Sequence, residues 1–369
     1  MTKSDILNHR LLNQNISYSG FTRPADLVQW LGGIQGQDYP NAKWAIGARI
    51  PSITDEIIEK DIEKRSIIRT WMFRGTLHIV SGKDIHWLLK LLSGRIITSG
   101  AARKRQLGLD DRILQKCLKL LYLLLKDNNT LTREEITNGF KHNGIKAEGI
   151  LLSHILQYSA LNGQICFGPK RGSEFTFVLL DEVSDPGLSM SREEALCELA
   201  WRYFTSHGPA TIMDFIWWSG VTGKDARTAL EMVRNNLLSE KFEENEYLMP
   251  ADSKKPANKK MIYLLPAFDS YLIAYRDRSI FINDLNFSRV VSTNGIFRPI
   301  IVKDGKIEGI WKRSFKKDKL IVEANFFKAP KESVREEVFK WANQFTKYLN
   351  KDLSQMSIND KVVYQDKNV

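Results

Sequence analysis

Apolar positions along this chain follow two periods in turn, and the alternation of the two repeats. Over 111–126 leucines recur at three- and four-residue spacing, which predicts an amphipathic helix. Residues 129–135 carry cap chemistry, with Thr132 three residues before Glu135, and start a second, short helix. A third helix is predicted over 146–161. Two short apolar runs, 164–167 and 175–179, then flank Gly168-Pro169-Lys170-Arg171-Gly172, which predicts a hairpin with two cations at its tip. The same order returns between 191 and 249. A helix over 191–206 precedes Gly208-Pro209-Ala210-Thr211 and a second helix over 211–219. Thr222-Gly223-Lys224-Asp225-Ala226-Arg227 opens the third, and 237–249 supplies the hairpin. Three helices followed by a two-stranded wing is the layout of a winged helix, a small fold used mostly to hold DNA.

The rest of the chain is read against those two units. Residues 4–16 and 53–66 are helical in pattern, and a helix through Leu27, Trp30 and Leu31 stops at Gly32-Gly33. Residues 67–80 alternate like a strand pair around Arg74-Gly75. Residues 1–82 are therefore expected to form a third, distorted winged helix. Residues 82–108 read as a helical connector rich in basic residues, Arg95, Arg103, Lys104 and Arg105 among them. From Met261 short apolar runs separated by turn residues predict a β-rich domain, a small barrel. Lys303-Asp304-Gly305-Lys306 reads as a tight hairpin turn, since Asp-Gly supplies the positive φ values of a type I′ turn. An amphipathic helix over 331–350 closes the domain, and a mobile tail is expected from 351. The expected fold class is α+β, three tandem winged-helix domains followed by a C-terminal β-barrel-like domain. The expected boundaries are 1–108, 109–186, 187–262, 263–350 and 351–369.

Charge narrows the partner. Lys and Arg number 54 against 43 Asp and Glu, a net charge of +11. A surplus of that sign favours polyanions, through many weak contacts that release counterions. No run of 18 apolar residues is present to span a membrane, and the N-terminal stretch lacks the apolar core of a signal peptide. Cys117, Cys166 and Cys197 lie in apolar contexts without metal-like spacing, which fits reduced core residues of a cytoplasmic protein. With no P-loop, dinucleotide fingerprint, G-x-S-x-G or metal motif, neither a cofactor nor a metal is expected. The expected partner is double-stranded DNA, bound by a monomer that associates with the nucleoid when it does so.

Several residues are candidates for contact with that DNA. Lys224 and Arg227 open the third helix of the second clear unit, the end that enters the major groove in a helix-turn-helix. Lys170 and Arg171 stand at a wing tip, and Lys303 and Lys306 flank a turn suited to probing a groove. Arg276 and Arg278, beside Tyr271 and Tyr275, either face nucleic acid or pack between domains. Arg69 and Arg74 flank Trp71, on a binding face or on a packed strand. Each of these is also readable as an ordinary surface or packing residue. Gln35-Gly36-Gln37-Asp38 is a candidate for chemistry. In extended chain residues two apart point the same way, so Gln35 and Gln37 can aim two amides at one point. A neutral amide orients water and stabilises a transition state by hydrogen bonding; the plainer reading is a polar loop. His78 is either a catalytic group or a structural imidazole.

Together these segments resemble a known family, the AlkZ/YcaQ-like winged-helix DNA glycosylases of bacteria. The segments are Gln35-Gly36-Gln37, Arg69 through His78, Leu264-Leu265-Pro266-Ala267-Phe268-Asp269 with Tyr275-Arg276-Asp277-Arg278, and Gly295-Ile296-Phe297-Arg298-Pro299. The resemblance implies three winged helices and a β-barrel arranged as a C-shaped cleft around duplex DNA. It implies removal of alkylated purines, crosslinked guanines included. It also implies that Gln35 and Gln37 fill the Gln-x-Gln catalytic motif, with Asp38 one residue out of register. Gly36 departs from the aliphatic residue usual at the middle position. The alternative from another class is a non-enzymatic duplex DNA-binding protein or transcription regulator. Convergence of Gln35 and Gln37 in a basic cleft would favour the enzyme, and both pointing into the core would favour the binding protein.

Overall fold

The computed structural model of the protein describes residues 1–187, 189–256 and 261–365. Three times the chain runs through a helix, a short extended segment, two helices and a hairpin. The first pass uses Pro24–Trp30, Ile34–Gln35, Tyr39–Gly47, Asp55–Glu63 and the strands Ile67–Trp71 and Leu77–Ser81. The second uses Asp111–Leu125, Leu131–Thr132, Arg133–His142, Gly149–Leu161, Ile165–Phe167 and Thr176–Leu179. The third uses Arg192–His207, the bridging residue Ala210, Ile212–Ser219, Gly223–Val233, Leu237–Phe242 and Asn245–Pro250. In each pass the short segment pairs antiparallel with the last hairpin strand: Ile34 with Ile79, Leu131 with Phe177, Ala210 with Leu248. Side-chain oxygens start these helices. Thr132, Ser191 and Thr211 each form a capping box with the acid three residues on, satisfying two backbone donors apiece.

The helix Tyr39–Gly47 has no counterpart in the sequence reading. Seven of its nine residues are buried, so it shows no polar stripe to mark its period. It matters because it carries the segment that follows Gln37.

The C-terminal part differs from the expected barrel. Its six strands run in the spatial order Lys361–Gln365, Leu353–Ile358, Lys319–Phe326, Lys306–Lys316, Ile300–Lys303, Ile262–Leu265. Among the described residues the first and last of these do not meet, so the sheet is open. The reason lies in the closing helix, Ser333–Leu349. It covers the sheet with Trp341, Phe345 and Tyr348, which also clasp Trp44 at ring distances of 4.6–6.2 Å. A sheet whose face is covered by a helix need not curl on itself. The expected mobile tail is likewise corrected. Leu353–Ile358 pairs parallel with Lys319–Phe326, and Lys361–Gln365 adds a further strand. Residues 366–369 of that segment, and 257–260 of the preceding cationic loop, lie outside the described residues.

Buried apolar side chains form two clusters. One is confined largely to the second pass, around Leu114, Leu121, Phe140, Leu156 and Phe177. The other is continuous through the first pass, the third pass and the sheet. A polar staple crosses this larger core. Arg49, on the end of helix Tyr39–Gly47, meets both carboxylate oxygens of Asp269 at 2.8 Å. Gln14 Nε2 donates to Tyr275 Oη, which donates to the carbonyl of His207 at 2.7 Å. Cys117 and Cys166 are buried free thiols. Among the described residues no helix is long and apolar enough to cross a membrane.

Candidate active site and nucleic-acid interface

The Gln-x-Gln segment sits where the first pass turns from strand to helix. Helix Pro24–Trp30 ends at Gly32 and Gly33, both at positive φ (71° and 150°). A Cβ on Gly32 would lie 2.9 Å from the Trp218 ring, so only glycine lets the chain pass that indole. Ile34 and Gln35 then add to the edge of the hairpin, with Gln35 directly opposite His78, and His78 opposite Thr70. Opposed residues of antiparallel strands share a face, so Gln35, His78 and Thr70 form one row. The chain bends at Gln37 and Asp38 into helix Tyr39–Gly47.

Neither glutamine points into the core. Gln35 is half-buried and Gln37 exposed, and neither side-chain amide has a partner among the described residues. Their backbone is held firmly instead. The Gly36 N–H donates to the carbonyl of Leu77 at 2.7 Å, and the Gly36 carbonyl accepts from Arg69 Nε at 3.0 Å. A Cβ on Gly36 would lie 3.2 Å from the His78 carbonyl carbon, so the segment rests directly on the His78 backbone. Two free amides on a fixed backbone are preorganised donors and acceptors. Asp38 is committed elsewhere: its carboxylate caps helix Tyr39–Gly47 through the N–H and side chain of Asn41.

His78 is 5% exposed, and burial pushes it down to about 3. Its Nδ1 lies 3.0 Å from the Thr76 carbonyl, so this nitrogen carries the proton and donates, which leaves Nε2 as an acceptor. A ring held neutral in this way does not deliver a proton near pH 7. His207 is also fully buried, and burial, then the charges of Arg49 and Arg10, push it to about 3. Both imidazoles titrate near 6.5 when unfolded. Between that value and about 3 the unfolded chain binds more protons than the folded one. Stability is therefore complete above about pH 6.5 and falls with acidification, by about 1.4 kcal/mol per pH unit for each ring. The urea midpoint is expected to drop clearly between pH 7.5 and 5, and an unchanged midpoint would contradict the neutral buried assignment.

The candidate cations have different fates. Arg69 is 5% exposed, with its guanidinium carbon 4.5 and 4.3 Å from the ring centres of Phe167 and Phe175. It is an internal brace that ties the second-pass wing to the Gly36 carbonyl, and not a DNA contact. Burial pulls it down to about 10, so it stays charged at neutral pH. Arg74, at positive φ in the hairpin turn, gives Nη1 to the carbonyls of Trp217 and Trp218 at 2.8 and 2.6 Å. Arg171 is tied to Glu135 at 2.6 Å and to the Thr130 carbonyl. Lys170 is exposed and stands 5.8 Å from the Tyr39 ring centre, beside the Gln37 bend. Lys224, Arg227 and Arg276 are exposed. Arg278 is half-buried between Trp217 and Phe297, donating to the Leu272 carbonyl.

The turn at 303–306 has the expected positive φ values, 50° at Asp304 and 79° at Gly305. It does not project as a probe. A Cβ on Gly305 would meet Leu7 at 2.5 Å, and Tyr271 Oη donates to the Gly305 carbonyl. The turn is docked on helix Lys3–Asn13, a contact no local pattern announces. The next hairpin, Lys306–Lys316 with Lys319–Phe326, lies in the middle of the sheet and leaves Lys312, Phe315, Lys316 and Lys317 exposed toward its tip. On it, Arg313 is half-buried with its guanidinium carbon 5.0 Å from the Phe345 ring centre, and burial lowers it against the pull of Asp38, Tyr348 and Asp55. Lys316-Lys317-Asp318-Lys319, a polar cluster between two alternating runs, was the available signal.

Comparison with known proteins places these features in context. The family model described as "DNA glycosylase AlkZ-like" matches residues 28–348. The "Interstrand DNA cross-link repair glycosylase" of Streptomyces sahachiroi is 26% identical over 315 residues, 79% of this chain and 82% of that protein. The solved structure of Streptomyces sahachiroi DNA glycosylase AlkZ superposes with a TM-score of 0.81 at 22% identity, covering 97% of this chain and 99% of that one.

Proposed function

The chain belongs to the AlkZ-like DNA glycosylase family, and from that premise we propose that it hydrolyses the N-glycosidic bond of N7-alkylated or crosslinked purines in duplex DNA. The relative whose name describes interstrand crosslink repair supports the substrate class. The observation that carries the reading is the pair of unpartnered amides, Gln35 and Gln37, on a backbone pinned by Leu77 and Arg69. We read each of the three passes as a winged helix, acting as a monomer on the duplex.

An N7-alkylguanine already carries positive charge and leaves without protonation. That removes the need for a general acid, in keeping with a neutral His78 and a capped Asp38. What remains is to stabilise an oxocarbenium-like sugar and place a water. Amide oxygens of Gln35 and Gln37 meet both needs: one accepts a proton-bearing water, and both turn negative dipole ends toward the cationic sugar. A crosslinked guanine is tethered to the other strand and cannot swing freely into a closed pocket. An open position at a strand edge suits it. Lys170, Lys224, Arg227 and Arg276 are exposed for phosphate contact, and the tip Lys316-Lys317 replaces 303–306 as the hairpin that meets a groove.

The test is release of free base from duplex oligonucleotides containing N7-methylguanine or a nitrogen-mustard crosslink, followed by cleavage at abasic sites. Time-dependent abasic product above the spontaneous rate is the expected result. Binding without base release would return the protein to the class of non-enzymatic DNA-binding proteins.

A further inference from the structure

Two cavities lie side by side along helix Ile85–Ser99, away from the Gln-x-Gln segment. The larger, about 450 Å³, is lined by Lys90, Arg95, Arg192, Arg74 and Asp225 among others. The smaller, about 210 Å³, is lined by Lys104, His154 and again Arg74. They share Arg74, Ile96 and Ser99, so they form one groove.

The charges in this groove are not balanced. Arg192 is paired with Asp225 at 3.0 Å, and Lys104 with the exposed Asp111 at 2.6 Å. The other three cations have no carboxylate partner among the described residues. Lys90 donates to Ser189 Oγ and the Met190 carbonyl. Arg74 donates to the carbonyls of Trp217 and Trp218 and lies 5.6 Å from the Trp217 ring centre. Arg95 is exposed and has no partner among the described residues. Three uncompensated cations lining one cavity repel each other, and the state that relieves them is one with a polyanion in place. A bare phosphate would answer one of them; a phosphodiester chain answers a row.

We propose that this groove is a backbone track for the DNA strand, separate from the catalytic segment and anchored by Lys90, Arg95 and Arg74. The proposal rests on the glycosylase reading for its choice of polyanion.

The experiment is duplex binding by Lys90→Gln, Arg95→Gln and the double variant across a salt series, with Lys347→Gln as an exposed cation outside the groove. Each phosphate contact contributes a salt exponent of about 0.9, which at about 0.15 M salt is roughly fivefold in affinity. The double variant is expected to bind about 30-fold more weakly, with the slope of log K against log salt reduced by about two. Methylphosphonate scanned over the phosphates flanking the lesion should weaken the wild type at one or more positions where the double variant is nearly unchanged. Lys347→Gln should match the wild type. If the double variant, shown folded by its thermal transition, keeps the wild-type affinity and slope, the groove is not a DNA track. If the wild type binds through these cations but releases no base, the glycosylase reading fails and the groove stands. If base is released and the slope ignores Lys90 and Arg95, the reverse holds.

Discussion

Gln35→Ala and Gln37→Ala are each expected to lower base release from N7-methylguanine duplex by about 100- to 1,000-fold, with duplex affinity within a few-fold of wild type. The size follows from what a fixed dipole does at a charge that develops only in the transition state: loss of one such group costs about 2.7–4 kcal/mol. Neither side-chain amide has a hydrogen-bond partner among the described residues, so truncation removes no polar interaction that holds the fold. The backbone bonds that position the segment, Gly36 to Leu77 and Arg69 to Gly36, survive both changes. The double variant should be little worse than the poorer single one, because two groups that hold one water act as a unit. Single-turnover rates corrected for spontaneous depurination, beside Kd values, check this. A matched fall in affinity and rate would mean that the glutamines bind DNA without doing chemistry. Gln35→Glu and Gln37→Glu add a second arm. A carboxylate attracts the cationic sugar more strongly than an amide but also repels phosphate, so the maximal rate should recover further than the affinity.

Much of the helical framework was legible because its signals are local. The capping box at Thr132 and Glu135, the breaks at Gly32-Gly33, and the alternation around Arg74-Gly75 each need only a few neighbouring residues. Helix Tyr39–Gly47 hid because burial on nearly every side erased its period. The candidate site was legible in part. Gln35 and His78 share one row, yet the choice for Arg69 between a binding face and a packed strand stayed open because its aromatic sandwich comes from a wing about a hundred residues away. The open sheet and the docked 303–306 turn escaped for the same reason. Covering a sheet with a helix, and docking Gly305 on Leu7, are long-range packing events without a sequence period. Leu264-Leu265-Pro266-Ala267-Phe268-Asp269 entered only through the family resemblance; the partner of its Asp269 lies 220 residues upstream.

That partner defines the largest expected effect on stability. Arg49 is 1% exposed and its five N–H groups find five acceptors. Two are the Asp269 oxygens, two are the carbonyls of Gln14 and Ala45, and one is Gln14 Oε1 at 3.3 Å. Asp269 is 2% exposed and also caps the turn at Ser270–Ile273 through the Tyr271 N–H. Asp269→Ala strands a guanidinium in the core, which costs about 3–5 kcal/mol. Asp269→Asn keeps the cap and the shape but removes the charge, and should cost less. Arg49→Met with Asp269→Leu removes both charges and should recover much of the loss, since a buried pair often exchanges for apolar groups at little net cost. Urea unfolding read on the far-UV signal and on tryptophan fluorescence measures the series. Trp44, whose Nε1 donates to the Leu264 carbonyl beside this pair, is one of nine tryptophans, so fluorescence reports the unfolding of the whole chain. An Asp269→Ala midpoint equal to wild type would mean that water reaches Arg49. It would also remove the explanation for this signature, because among the described residues Arg49 is paired with no other carboxylate.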